Sequence, residues 1–288
     1  MADVLVTGAT GLLGSRVVQD LAREHEVVAL ARRPPPDPGG VRWIRHDLRS
    51  PALPADLPPG IEAVVHLAQA REFREFPSRA LDTFAVNVGS TVLLADWACR
   101  AGARRLVLAS TGGVYRPSSE PHREDEPVGG PDVPSFYAAS KLAAETLARA
   151  YSSELVVTVL RPFFVYGAGQ EAGMLLPRLV GSVRAGAAVR LDGHDGMRFN
   201  PVHVSDAARA VIAALAMQEG GVVNVAGPEV LSLRRAVELL GQRLGTPPTF
   251  EIRPDAAPTD FVADISTMAA TLGPPTTRLA DVVDELCR

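Results

Sequence analysis

Apolar residues in the first half of this chain come in short continuous runs separated by helix-like patterns. DVLVTG (3–8) leads into LLGSRVVQDLAREH (12–25), and EVVAL (26–30) follows. EAVVHLA (62–68) precedes a long helical stretch over 79–102. RLVLAS (105–110), a Pro/Gly-rich loop, a helix from near Ser135 to 151 and LVVTVLRP (155–162) complete the series. Runs of Val, Leu and Ala without polar alternation suit parallel strands buried on both faces. Strand and helix in repetition predict right-handed crossovers and an α/β, Rossmann-type doubly wound sheet.

After about Gly167 that rhythm stops. A helical stretch near 174–185, strand-like segments at 187–192 and 221–227 and two late helical patterns are broken by Gly and Pro. This predicts a larger α/β domain over 1–166, also including about 201–220, and a smaller mixed α/β domain over 167–288. Ligands of open α/β sheets lie beyond the carboxyl ends of the strands, so a second domain there would close a cleft.

Composition narrows the class. The chain has 288 residues, 47% hydrophobic and 22% charged, with a net charge of −4. Such a balance gives no electrostatic footprint for nucleic acid or an anionic membrane. The two cysteines and six histidines fall into no metal-ligand or disulfide spacing, and no metal is expected. No apolar run approaches the length of a membrane span and no leader pattern precedes the first strand, so a cytoplasmic location is expected.

Three stretches carry chemistry. TGATGLLG (7–14) sits between the first strand and first helix, with Gly8, Gly11 and Gly14 in GxxGxxG spacing. Side-chain-free turns there let a pyrophosphate reach backbone N–H groups, here those of Thr10, Gly11, Leu12, Leu13 and Gly14, at a helix N-terminus. At the end of the second strand an acid would bind ribose hydroxyls and an arginine a 2′-phosphate; the chain reads VVALARR, with Arg32 and Arg33. NADP is therefore expected, with NAD the alternative. Asp47, followed by Leu48, either accepts from an adenine amino group or caps a turn.

The third stretch is YAASK, which holds the chain's single lysine, Lys141, four residues after Tyr137. Four tyrosines in 288 positions make that spacing a chance event on the order of 1%. Elsewhere arginine supplies every basic side chain, so a site that excludes a wide planar guanidinium is indicated. Residues i and i+4 share a helix face. An ammonium ~4.5 Å from the phenol, at an effective dielectric near 20, would supply roughly 3–4 kcal/mol. That is about what lowering a tyrosine from pKa ~10 to near neutrality requires.

TGxxGxxG, HLAQA (66–70), Asn87, STGGVY (110–115), Tyr137-x-x-x-Lys141 and LRPFFVYG (160–167) come in the order seen in extended short-chain dehydrogenase/reductases. Within these the chain resembles the NAD(P)-dependent epimerase/dehydratase family, whose best-known substrates are nucleotide sugars. NPVHVSDAARA (200–210) and NVAGPEVLSL (224–233) extend the likeness nearly to the C-terminus. The resemblance implies Tyr137 as acid/base, Lys141 as its partner and Thr111 as the hydroxyl that holds the reacting oxygen. Ser110 would point to the other side of the strand. It implies cofactor contacts from Leu67, Ala68, Gln69, Asn87 and Pro162, although Asn87 in mid-helix also suits a packing role. Homodimers formed through helices at 79–102 and 135–151 are implied as well.

The chain departs from the family in three places. Phe164 takes the slot of a substrate-contacting Asn in RPxN, and Arg198 lies one residue early in FNPVH (199–203). Arg178, Arg184 and Arg190 either replace the missing diphosphate contacts or are solvated charge. Gly112 and Gly113 stand where 4,6-dehydratases carry Asp-Glu, so dehydration is not expected. The reading is an oxidoreductase of a nucleotide-linked sugar, a 4-ketoreductase first and a 4-epimerase with tightly held NAD next. A ketoreductase of a non-sugar small molecule and a non-catalytic NADP-sensing regulator are the alternatives.

Overall fold

The computed structural model describes residues 3–129 and 133–287. The strands are β1 (Asp3–Thr7), β2 (Glu26–Ala31), β3 (Arg42–Arg45), β4 (Ile61–His66), β5 (Arg105–Ala109), β6 (Val156–Pro162), β7 (Val189–Asp192), β8 (Arg198–Phe199), β9 (Gly221–Val225), β10 (Leu231–Ser232) and β11 (Phe250–Arg253). The helices are α1 (Leu12–Leu21), α2 (Ala80–Phe84), α3 (Ser90–Ala101), α4 (Phe136–Arg149), α5 (Leu175–Arg184), α6 (Val204–Ala214), α7 (Leu233–Leu244), α8 (Ser266–Thr271) and α9 (Leu279–Leu286).

Seven strands form one sheet in the order β3-β2-β1-β4-β5-β6-β9. β1 through β6 pair in parallel, with Thr7 in register with Leu30 on one side and His66 on the other. This is the expected doubly wound, Rossmann-type arrangement. Strand order reverses between β1 and β4, and that switch point is where such folds open a crevice. Leu5, Val64, Leu106 and Val159 have essentially no exposure, which is why these strands read as unbroken apolar runs. One sheet face packs on Leu94, Ala95 and Ala98 of α3 and Ala144 and Ala148 of α4. The small alanines let helix and sheet approach closely.

The chain clusters into two compact units. The first holds residues up to Arg116, Pro127–Arg161 and Ala208–Val223; the second holds Pro117–Glu126, Pro162–Ala207 and Asn224–Arg288. The sequence pattern places 117–126 with the first domain. The structure groups it with the second because its partners are distant in sequence: the backbone N–H of His122 donates to Val262 and that of Asp264 to His122. Within the second unit β7 pairs in parallel with β11, and β8 antiparallel with β10. Leu176, Val180, Phe199, Val237, Leu240 and Val283 form its separate core.

The stretch 79–102 is not one regular helix. Between α2 and α3 runs a π-helical turn, Ala85–Gly89, with Asn87 at its centre. An extra residue in a helical turn frees backbone carbonyls, and two hydroxyls take them up. Ser90 Oγ donates to Val86 O at 2.6 Å and Thr91 Oγ1 to Asn87 O at 2.8 Å.

Candidate active site

Gly8 ends β1 with φ +69°, and a Cβ there would lie 2.7 Å from the backbone at Leu67 and Ala68. At Gly14, in the first turn of α1, a Cβ would lie 2.0 Å from Gly8 O. Both positions admit only glycine, one for conformation and crossing of β4's continuation, the other for closure of α1 onto the turn. Gly11 N donates back to Gly8 O at 2.9 Å, and Gly11 caps α1 without any side chain. Thr10 and Gly11 are exposed, Leu12 and Leu13 half-buried. The result is a backbone cradle at the switch point that fits a dinucleotide pyrophosphate.

Arg32 and Arg33 follow β2 and are exposed. Asp47, beyond β3, is engaged by Arg49: the guanidinium donates to both carboxylate oxygens and the Arg49 backbone to one. These bonds hold its carboxyl down at about 2, with a smaller contribution from the Arg32 charge. Asp47 thereby caps its own turn. Leu48 follows in the same turn, half-buried.

Thr111 continues β5 in extended conformation and caps a short 3-10 turn, accepting from Gly113 N at 3.0 Å. Ser110 points the other way, where its hydroxyl donates to the buried carboxylate of Glu145. Ser135 caps α4 by accepting from Ala138 N, which sets Tyr137 in the first turn. The Thr111 side chain acts on the Tyr137 phenol, opposing the rise that burial imposes on it. Tyr137 Oη donates in turn to Gln69 Oε1 at 2.7 Å.

Lys141 is 2% exposed, and its ammonium donates to Ala109 O at 2.8 Å. Burial lowers its pKa to about 8, partly opposed by the Glu145 charge one turn on. A guanidinium in this slot would bury five donors against few acceptors, a cost an ammonium avoids. Burial drives the Tyr137 phenol up to about 12, against weaker opposing effects of the Thr111 side chain and the Arg74 charge.

Two buried polar groups went unread in the sequence. Glu145, Arg161 and Tyr115 form one: Arg161 donates to both Glu145 oxygens, at 3.1 and 2.7 Å, and to Tyr115 Oη at 2.7 Å. The available signals were a Glu four residues after Lys141 on the same helix face, and an Arg inside an apolar strand. The other joins His66 Nδ1 to Thr7 Oγ1 at 2.6 Å and His66 Nε2 to Ser90 Oγ at 3.1 Å. Burial, helped by the Lys141 charge, holds that imidazole neutral, with pKa about 3.

Asn87 is buried. Its Oδ1 accepts from Ala70 N and its Nδ2 donates to Ser140 Oγ, both at 2.9 Å. Leu67 and Ala68 continue β4 beside Gly8, and Pro162 ends β6.

In the second unit Phe164 holds φ +44°, a left-handed conformation that suits Asn and costs Phe of order 1–3 kcal/mol. Edge-on contacts with Phe199 and Phe261, at 5.3 and 5.8 Å between centroids, offset that cost. Arg198 is engaged by Asp260, Nε to Oδ2 at 2.8 Å, and by Ser119 O at 2.9 Å. Arg178 lies on the exposed face of α5. Among the described residues no helix is long and apolar enough to cross a membrane.

Glycine cradle, switch point and the Thr111–Tyr137–Lys141 cluster together define a short-chain dehydrogenase/reductase-type fold with its dinucleotide end intact. The chain belongs to the NAD dependent epimerase/dehydratase family, whose family model matches residues 4–226. A dTDP-4-dehydro-6-deoxy-D-allose reductase of Streptomyces bikiniensis is 28% identical over 93% of this chain and 90% of its own length. A 3-diazoavenalumate denitrifying reductase of a Streptomyces species is 34% identical over 85% of this chain and 82% of its own. The solved structure of MoeE5 with UDP-glucuronic acid and NAD matches with a TM-score of 0.83 at 31% identity, covering 99% and 97% of the two chains.

Proposed function

We propose that the protein is an NAD(P)-dependent reductase of a nucleotide-linked 4-keto sugar, with Thr111, Tyr137 and Lys141 as its catalytic residues. The observation that carries this is Lys141, buried one helical turn after Tyr137 on α4 and bonded to Ala109 O, two residues before Thr111. A nicotinamide dinucleotide bound at the glycine cradle supplies the hydride. The backbone at Gly8–Gly14 receives the pyrophosphate, and Arg32 and Arg33 favour the 2′-phosphate of NADP. Thr111 holds the ketone oxygen, and Tyr137 delivers its hydroxyl proton as that oxygen gains negative charge. Lys141 stabilises the phenolate left behind.

Similarity to the dTDP-4-dehydro-6-deoxy-D-allose reductase supports this choice. A relative described as a dTDP-glucose 4,6-dehydratase is 29% identical over 82% of the chain. Elimination nonetheless requires an acid for the leaving hydroxyl and a base for the adjacent carbon. Gly112 and Gly113 supply neither. A 4-epimerase would use the same three residues and retain its cofactor through the cycle.

Phe164 in place of the family's Asn, Arg198 held by Asp260 and the 34% identity to the 3-diazoavenalumate denitrifying reductase favour a second reading, reduction of a non-sugar small molecule. A cofactor-sensing regulator would have no need of the intact Thr-Tyr-Lys set. The test is NADPH oxidation with a dTDP-4-keto-6-deoxyhexose. Stoichiometric consumption is expected, whereas interconversion of UDP-glucose and UDP-galactose without added cofactor would assign the epimerase.

We also propose a homodimer through α2, α3 and α4. Leu81 is 85%, Phe84 54% and Leu147 40% exposed. On α4, Ala139, Leu142, Ala143 and Leu147 line an open apolar depression with Gly129 and Val133.

A further inference from the structure

The loop after β4 contacts the candidate acid/base through a side chain as well as supplying backbone beside the glycine turn. Gln69 Oε1 accepts the Tyr137 hydroxyl proton at 2.7 Å. Phe73 packs on the Tyr137 ring with centroids 4.4 Å apart, and the Arg74 guanidinium lies 5.0 Å over Phe73. Both ends of the Gln69–Tyr137 bond are tied to one buried side chain. Asn87 takes the N–H of Ala70, next to Gln69, and donates to Ser140, whose hydroxyl donates to the carbonyl of Tyr137 at 2.7 Å. An exposed glutamine on a free loop would sample many rotamers. Here the loop is pinned to α4 by that frame, which lowers the entropy lost in forming the bond.

We propose that Gln69 is a positioning residue for proton transfer, holding Tyr137 as a neutral donor with its proton aligned until substrate competes for it. The Tyr137 hydroxyl donates to Gln69 Oε1, while Thr111 Oγ1 accepts from Gly113 N–H at the end of β5. When a ketone carbon accepts hydride, its oxygen takes the Tyr137 proton: the phenol O–H breaks and the product O–H forms. The negative charge then rests on Tyr137. A glutamine amide carries donor and acceptor on one carbon. Turning its NH2 toward the phenolate satisfies that state as its carbonyl satisfied the neutral one. Re-protonation from water resets the pair.

The other groups around this hydroxyl are the Arg74 charge from the same loop, the Thr111 hydroxyl from the end of β5 and the Lys141 ammonium from α4. None of them accepts a proton from the neutral phenol. The inference rests on the proposed reading only in giving Tyr137 the transferred proton; the bond itself is tested without turnover.

The experiment is phenolate absorbance of the purified protein at about pH 10, with Tyr137→Phe subtracted to remove the other three tyrosines. Gln69→Leu, which removes the acceptor, is expected to raise the ionised fraction at Tyr137 by up to roughly tenfold, the equivalent of one net hydrogen bond. Gln69→Glu, which sets a carboxylate against the phenol, is expected to lower that fraction below wild type. Opposite signs in two variants at an exposed position separate proton holding from damage to the fold. An unchanged fraction in Gln69→Leu, or a shift of both variants in one direction, would overturn the proposal. A turnover defect in Tyr137→Phe with no Gln69 effect on titration would sink this inference alone.

Discussion

Lys141 shows what a buried charge costs the fold. Burial depresses its pKa from 10.5 to about 8, so the folded state holds the proton less tightly than the unfolded chain. Below about pH 8 both states are protonated and the full penalty is present. Between about 8 and 10.5 the unfolded chain alone keeps the proton, and stability rises with pH until Tyr137, whose pKa is raised, reverses the trend above about 10. Lys141→Met is expected to gain roughly 2–3 kcal/mol near neutral pH and to lose the rise between pH 8 and 10, read by denaturant titration across that range. The cofactor-free protein would thus become more stable as it became inactive. A destabilised Lys141→Met protein would show that the ammonium's bond to Ala109 outweighs its desolvation.

Among elements, α4 carries Tyr137 and Lys141 together with Glu145, whose buried carboxylate pairs with Arg161 of β6. Glu145 and Arg161 each keep about 3% of their side-chain surface, and Ser110 and Tyr115 satisfy the remaining atoms. Glu145→Ala leaves a buried guanidinium without its counter-charge and is expected to cost about 3–5 kcal/mol, measured by urea unfolding. Replacing both partners with apolar residues of similar volume should restore most of that stability. The turn after β2 is the other element with a direct consequence. Arg32→Glu with Arg33→Ser is expected to weaken NADPH binding roughly 10–100-fold while leaving NADH binding within a few fold, read by fluorescence titration. Equal losses for both cofactors would demote these arginines to solvated charge.

The sequence made most of these elements readable, because strands buried on both faces leave continuous apolar runs and glycines at tight turns cannot be replaced. Observed ends of β1, β2, β4, β5 and β6 fall close to the predicted ones for that reason. The π-helical turn could not be read, since it depends on where Asn87 finds partners 17 and 53 residues away. Nor could the conformation of Phe164, whose side-chain type argues against it, or the engagement of Arg198 by Asp260 across 62 residues. Local pattern reports periodicity and turn chemistry; long-range partners leave no mark on it. The Tyr137 and Lys141 spacing was visible, but not that burial would dominate the phenol's ionisation.

At the scale of the whole molecule, the first unit alone contains the glycine cradle and all three proposed catalytic side chains. Its exposed apolar residues on α2 and α4 are expected to pair two copies, and Leu81→Glu with Phe84→Glu should shift the protein to monomer in sedimentation while leaving its helix content unchanged. The central claim is that Tyr137 supplies the proton in a nicotinamide-dependent carbonyl reduction. The most direct test is the rate of NADPH oxidation with a dTDP-4-keto-6-deoxyhexose, compared between wild type and Tyr137→Phe at matched cofactor occupancy. Wild type is expected to consume one NADPH per ketone reduced. Tyr137→Phe should bind NADPH as tightly yet turn over at least ~100-fold more slowly, the usual worth of a positioned general acid. Turnover of the Phe variant within a few fold of wild type would contradict the account.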